Sequence, residues 1–198
     1  MARISCSTIA IFLELIRHDC TALIGLRPTW PKLLRLYIKH SGFKTVVRYR
    51  LASLLCKHKL SMLGWLYHAR TIRFTGADIN PYAEIGAGLV IHHPVGIVIG
   101  AGARIGQFCT ILQGVTIGEV YFRAAHEYPV IADHVVLGAG AKVLGNAVIG
   151  EFAVVGANAV VLKDVPAEAT VAGVPAVLIK YPNLSSKWAA VNSGSVDT

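Results

Sequence analysis

Two adjacent histidines, His92 and His93, stand near the end of the run DINPYAEIGAGLVIHHPVG, the second of them fifteen residues after the aspartate that opens it, Asp78. An imidazole is the side chain best placed to accept a proton near neutral pH, and a hydroxyl becomes a useful nucleophile only as its proton is taken. A carboxylate beside such a base fixes its tautomer and stabilises the imidazolium that forms. Spacing alone leaves two readings of Asp78 and His93 open. They are either a base with its orienting acid, or a cap on the first structural repeat and an exposed corner residue. Cysteine offers no competing chemistry: Cys6, Cys20, Cys56 and Cys109 have no CxxC spacing and sit among apolar neighbours, as buried reduced thiols do. No metal site is expected.

The elements that must hold these groups follow from two periods. From Ser7 to about Phe74 apolar residues recur at three- and four-residue spacing, which predicts four helices. Ser7 caps the first, which runs to about Leu23. The prolines of PTWPKLLRLYIKH suit a first turn, Gly42 interrupts, and FKTVVRYRLASLLCKH and SMLGWLYHARTIRF follow. After Gly76 the period becomes six. Ile79, Ile85, Ile91 and Ile97 form one frame; a slip of two starts a second at Ile99, Ile105, Ile111 and Ile117. A third runs through Ile131, Leu137, Val143, Ile149, Val155 and Val161. Helices need 3.6 and strands 2, so a period of six means short strands joined by tight corners in stacked coils. The expected organisation is a basic α-helical domain over 1–75, a β-helix over 76–179 and a flexible tail over 180–198.

Charge is confined to one part of this plan. Residues 1–75 hold 13 Lys/Arg against Glu14 and Asp19, whereas residues 76–198 hold 6 against 9, so the net charge of +8 belongs to the helices. A basic half suits nucleic acid, an anionic membrane surface or an acidic partner. No helix-turn-helix, RNP-like or zinc-finger pattern accompanies it, which speaks against nucleic acid. The first reading is a solvated face on amphipathic helices. Despite a mean hydropathy of +0.56, charges break every apolar run before it reaches the roughly 20 residues of a spanning helix. STIAIFLELIRHDC also lacks the marks of a signal peptide. A cytoplasmic protein is expected, with peripheral contact at the inner face of the membrane through the basic half.

IGAGLV, IGQFCT, LGAGAK and VGANAV resemble the hexapeptide repeat of left-handed β-helix acyltransferases, and VVLKDVPAEATVAGVPAVLI is similar to that superfamily's ending. TGADINP, QGVTIG and SGFKTVVRYRLAS further resemble the serine acetyltransferase branch and its relatives in polysaccharide gene clusters. The resemblance implies an acetyl-CoA-dependent O-acetyltransferase, a trimer or dimer of trimers, His93 as general base and Asp78 as the acid that orients it. It also implies that small residues at Gly118, Ala139 and Ala157 admit the pantetheine arm, with Lys142 or Lys163 meeting a CoA phosphate. Glu119 departs from the second glycine of the family's GG step.

The acceptor residues depart from the family's pattern. His92 and Arg27 stand where the branch has two carboxylates for the serine ammonium, and Glu127 and Tyr128 replace the Arg-His pair that faces its carboxylate. Arg123 and His126 are the available substitutes. Like charges brought together out of water are costly. The expected acceptor is therefore a hydroxyl of a sugar or surface-polysaccharide precursor, with serine O-acetylation as the alternative and a silent scaffold as a third reading. Family binding to cysteine synthase uses a terminal isoleucine, and the ending SGSVDT speaks against that partner.

Overall fold

A computed structural model describes residues 6–120 and 127–180. Four helices come first: α1 (Cys6–Ile24), α2 (Trp30–Lys39), α3 (Ser41–Lys57) and α4 (Ser61–Thr75). Helix α2 has proline in its first turn, as the sequence predicts, and Thr29 holds the position before it without a side-chain capping bond. Ser7 lies inside α1 instead of capping it, and Gly42 lies in the first turn of α3 instead of separating two helices. The break falls at His40, whose extended backbone ends α2 and starts α3.

Fifteen short strands follow among the described residues, and all but the last coil into the left-handed β-helix that the resemblance implies, with three faces. The first face stacks β1 (Asp78–Ile79), β4 (Val98–Ile99), β7 (Thr116–Gly118), β10 (Lys142–Leu144) and β13 (Val160–Val161). The second holds β2 (Glu84–Ile85), β5 (Arg104–Ile105), β8 (Val130–Ile131) and β11 (Val148–Ile149). The third holds β3 (Val90–Ile91), β6 (Thr110–Ile111), β9 (Val136–Leu137), β12 (Val154–Val155), β14 (Thr170–Ala172) and β15 (Val177–Lys180). All pairings are parallel except that of β14 with β15. The second residue of most strands points inward, so Ile79, Ile99, Ile117, Val143 and Val161 form one buried ladder and Ile91, Ile111, Leu137 and Val155 another. Each side chain fills the space over its equivalent one coil below, which is why the period cannot drift.

Helix α3 closes the open end of this prism. Val46 and Tyr49 join the β-helix core, and the Tyr49 hydroxyl donates to the Ala83 carbonyl at 2.7 Å. A buried ion pair locks the joint. Arg50 donates to both carboxylate oxygens of Asp19 at 3.1 and 3.0 Å, and Asp19 accepts the backbone N–H of Leu89 at 2.9 Å. Arg50 also donates to the carbonyls of Ile85 and Gly86, so both charges are fully partnered. Removing one member of such a pair strands the other, at about 3–5 kcal/mol.

Candidate active site at the histidine corner

The histidines occupy a corner that the β-helix makes differently from the rest. Asp78 pairs with Val98, twenty residues on, while Val98 pairs with Thr116, eighteen on. The two extra residues lie between β3 and β4, at the slip in the hydrophobic frame; His92 keeps the ladder, its N–H donating to the Ile111 carbonyl at 3.0 Å, and His93 opens the bulge. His93 takes a left-handed backbone (φ 53°) and is exposed; His92 is half-buried. The bulge is pinned on both sides, since Gly96 N–H donates to the Gly76 carbonyl at 2.8 Å and Gly114 N–H donates to the Val95 carbonyl at 3.0 Å.

Helix α3 meets the same corner end-on. A β-carbon on Gly42 would lie 1.8 Å from the Ile91 carbonyl oxygen, so only glycine lets the helix start approach β3 this closely. His40 caps the helix, its Nδ1 accepting the Phe43 N–H at 3.1 Å, and its ring centre stands 6.3 Å from that of His92. Burial, and then the neighbouring His92 and His93, hold its pKa below the usual imidazole range. The corner thus carries three imidazoles. Its sequence signal was only a histidine at a helix start.

Asp78 lies one level below, on β1, and Asp78 N–H donates to the Ile97 carbonyl at 2.8 Å, so the acid and the bulge share one corner. Its carboxylate, however, is paired with a different histidine: His68 Nε2 of α4 lies 3.2 Å from Asp78 Oδ1. No ion pair within 4 Å joins Asp78 to His93 among the described residues. His68 is buried, with the Trp65 ring edge-on at 5.3 Å, and desolvation outweighs the Asp78 carboxylate and lowers its pKa. A neutral His68 therefore holds one carboxylate oxygen of Asp78 and fixes the acid's orientation.

The remaining candidates divide between two corners. Ala139 and Ala157 stack at the His93 corner, where Asn158 N–H donates to the Ala139 carbonyl at 2.7 Å. Gly118, Glu127, Tyr128 and Lys163 lie at the far end of the first face. There the Tyr128 ring covers Gly100 and Gly102, either of which would clash with it if it carried a β-carbon. Gly118 faces open space, and Lys163 is exposed. Lys142 is not a free cation: its ammonium donates to the Gly114 carbonyl and, at 3.1 Å, to the Thr116 hydroxyl. Arg27 lines a cavity of about 340 Å³ with Glu14, Arg17, His18 and Thr21. Arg123 and His126 lie outside the described residues. So does the expected flexible tail beyond Lys180. No group of three or more metal-ligating side chains occurs among the described residues.

Known proteins share this architecture. Residues 128–163 match the family described as "Bacterial transferase hexapeptide (six repeats)". The serine acetyltransferase of Staphylococcus xylosus is 39% identical over 169 residues, covering 85% of this chain and 78% of its own length. The chain belongs to the serine acetyltransferase family of hexapeptide-repeat transferases. The serine acetyltransferase of Synechococcus elongatus is 41% identical over 146 residues, and the match spans 74% of this chain but only 60% of that relative. Among solved structures, the Brucella abortus serine acetyltransferase in complex with coenzyme A aligns with TM-score 0.80 and 33% identity, over 87% of this chain and 69% of that one. A soybean serine acetyltransferase complexed with serine aligns with TM-score 0.79 and 35% identity, over 87% and 71%. Family members thus bind both coenzyme A and serine on this fold.

Proposed function

We propose that the chain is an acetyl-CoA-dependent O-acetyltransferase in which His93 takes the proton of an acceptor hydroxyl. The observation that carries the reading is the two-residue bulge, which presents an exposed His93 at the corner where the strand bearing Asp78 pairs with β4. Acetyl-CoA supplies the activated thioester carbonyl. His93 accepts the hydroxyl proton as the acceptor oxygen attacks that carbonyl, and returns it to the departing thiolate sulfur. Asp78, held by His68, stabilises the charged imidazole.

L-serine is the first acceptor to consider, since the relatives and the complexed neighbour carry it in their names. This reverses the order expected from the sequence: none of the relatives above supports a sugar. A sugar hydroxyl remains the second reading because of one observation. His92, flanked by His40, stands where the family's pattern has a carboxylate, so a serine ammonium would meet imidazoles at that position, while Asp78 at the same corner is paired with His68. The experiment is kcat/KM for L-serine beside a panel of nucleotide sugars and oligosaccharide repeats, with His93→Ala as control. Saturable serine acetylation, lowered about 10²–10⁴-fold by His93→Ala, supports the first reading. His93-dependent turnover of a glycan alone supports the second. No thioester turnover with any hydroxyl overturns both and leaves an assembly role.

A further inference from the structure

The basic half of the chain has a surface that a solvated amphipathic helix does not need. On α2 the residues Trp30, Leu34 and Ile38, spaced by four, are 56%, 62% and 63% exposed and form one apolar stripe along the helix. Lys32, Arg35 and Lys39, all exposed, run beside it. The inner face is separately satisfied: Leu33 is buried, and Leu36 and Tyr37 pack against the cluster of Ile16, Cys20 and Phe43. The outer stripe is therefore left over after the helix has docked.

Charge decides what covers it. From Cys20 to Ala77 the sequence holds no Asp or Glu. The nearest acids are already committed, Asp19 to Arg50 and Glu14 to Arg17, and the Arg17 guanidinium lies 4.8 Å from the Trp30 ring centre. Two copies of α2 facing each other would bring cations together with nothing to offset them. A nucleic acid would satisfy the cations but leave Leu34 and Ile38 against a polar groove. An anionic bilayer accepts both halves, because its phosphates lie at the level of the cations and its acyl boundary at the level of the stripe. Tryptophan favours that same boundary. At ten residues, α2 is too short to cross and must lie in the plane.

We propose that α2 docks the protein on the surface of an anionic lipid bilayer, with Trp30, Leu34 and Ile38 entering the headgroup boundary and Lys32, Arg35 and Lys39 on lipid phosphates. Helix α2 ends at His40, the cap that stands beside His92, so a single residue joins the docking helix to the histidine corner. The docking is independent of which hydroxyl is acetylated.

The test is co-sedimentation of the full chain with vesicles of phosphatidylcholine alone and of phosphatidylcholine with an equal part of phosphatidylglycerol, at low and high salt. Binding is expected to the mixed vesicles only and to weaken with salt. Each cation contributes about a fivefold gain in partitioning, so Lys32→Gln, Arg35→Gln and Lys39→Gln combined should cost about a hundredfold. Leu34→Glu with Ile38→Glu should abolish binding while circular dichroism and thermal unfolding stay unchanged, since neither side chain is buried. Absence of binding by folded wild-type protein overturns the proposal. So does binding that the α2 variants leave intact. If Leu34→Glu with Ile38→Glu instead splits an assembly seen by sedimentation without lipid, the stripe is a subunit interface and the proposal fails.

Discussion

At the scale of residues, a carboxylate steers only what it reaches, and the nearest ionisable partner of Asp78 is His68. The resemblance marked Asp78 and His93, whose fifteen-residue spacing alone left their roles open. His68 was not legible, because its contact exists only once α4 has docked on β1, and no local spacing encodes that. If His68 acts through Asp78, His68→Gln should lower kcat several-fold with little change in KM and alter the pH profile of kcat. Asp78→Asn should do the same, and the double variant should be no worse than the poorer single, as for residues acting as one unit. Additive losses, or a lower melting temperature with an unchanged pH profile, would reduce His68 to a packing residue.

At the scale of elements, the period of six gave the β-helix, because an inward ladder tolerates no change of frame without a visible structural cause. The first slip in that ladder is the bulge that His93 opens, and the second, between Ile117 and Ile131, is the longer connection from β7 to β8. Helix ends were less legible: Ser7 and Gly42 read as a cap and a break, yet cysteine and serine open α1 and α3. Gly42 is glycine for a tertiary reason that lies some fifty residues away at Ile91, beyond any window of local pattern. Gly42→Ala should therefore cost more than about 3 kcal/mol in denaturant unfolding, whereas helix propensity alone would make alanine slightly stabilising. His40 adds a pH dependence with a definite sign. Its folded-state pKa lies below the ordinary value of 6.5, so the unfolded chain takes up the proton first and stability falls as pH drops through and below 6.5. His68 is lowered in the same direction and adds to the loss. His40→Asn keeps a good capping acceptor and removes one of the two titrations. Its unfolding free energy should drop less than the wild type's between about pH 7.5 and about pH 5.5; an equal drop would place the linkage elsewhere.

At the scale of the whole molecule, a single chain separates what the resemblance places in one site. His93, Ala139 and Ala157 lie at one corner of the first face, while Tyr128, Gly118 and Lys163 lie at the other. No hexad pattern reveals this, since the sequence gives each residue its level and corner but not the neighbouring subunit that would bring the two corners together. The outer surface points to such a neighbour: Val130 and Val148 are paired on the second face, 38% and 44% exposed, and Val98 and Leu162 are 42% and 51% exposed on or beside the first. Apolar strand faces of this kind are covered in closed assemblies, and the trimer that the resemblance implies would set the His93 corner of each prism against the Tyr128 corner of the next. Sedimentation equilibrium should therefore give a trimer or a multiple of one, and Val130→Glu with Val148→Glu should shift it toward monomer and remove activity together. Subunit mixing tests the shared site directly. His93→Ala chains and Tyr128→Ala chains, each poorly active alone, should recover activity when refolded together, because about one quarter of the corner pairs in a random mixture would unite an intact His93 with an intact Tyr128. If the mixture stays as inactive as its components while still assembling as trimers, the two corners do not serve one site, and Tyr128 only covers Gly100 and Gly102 of its own chain.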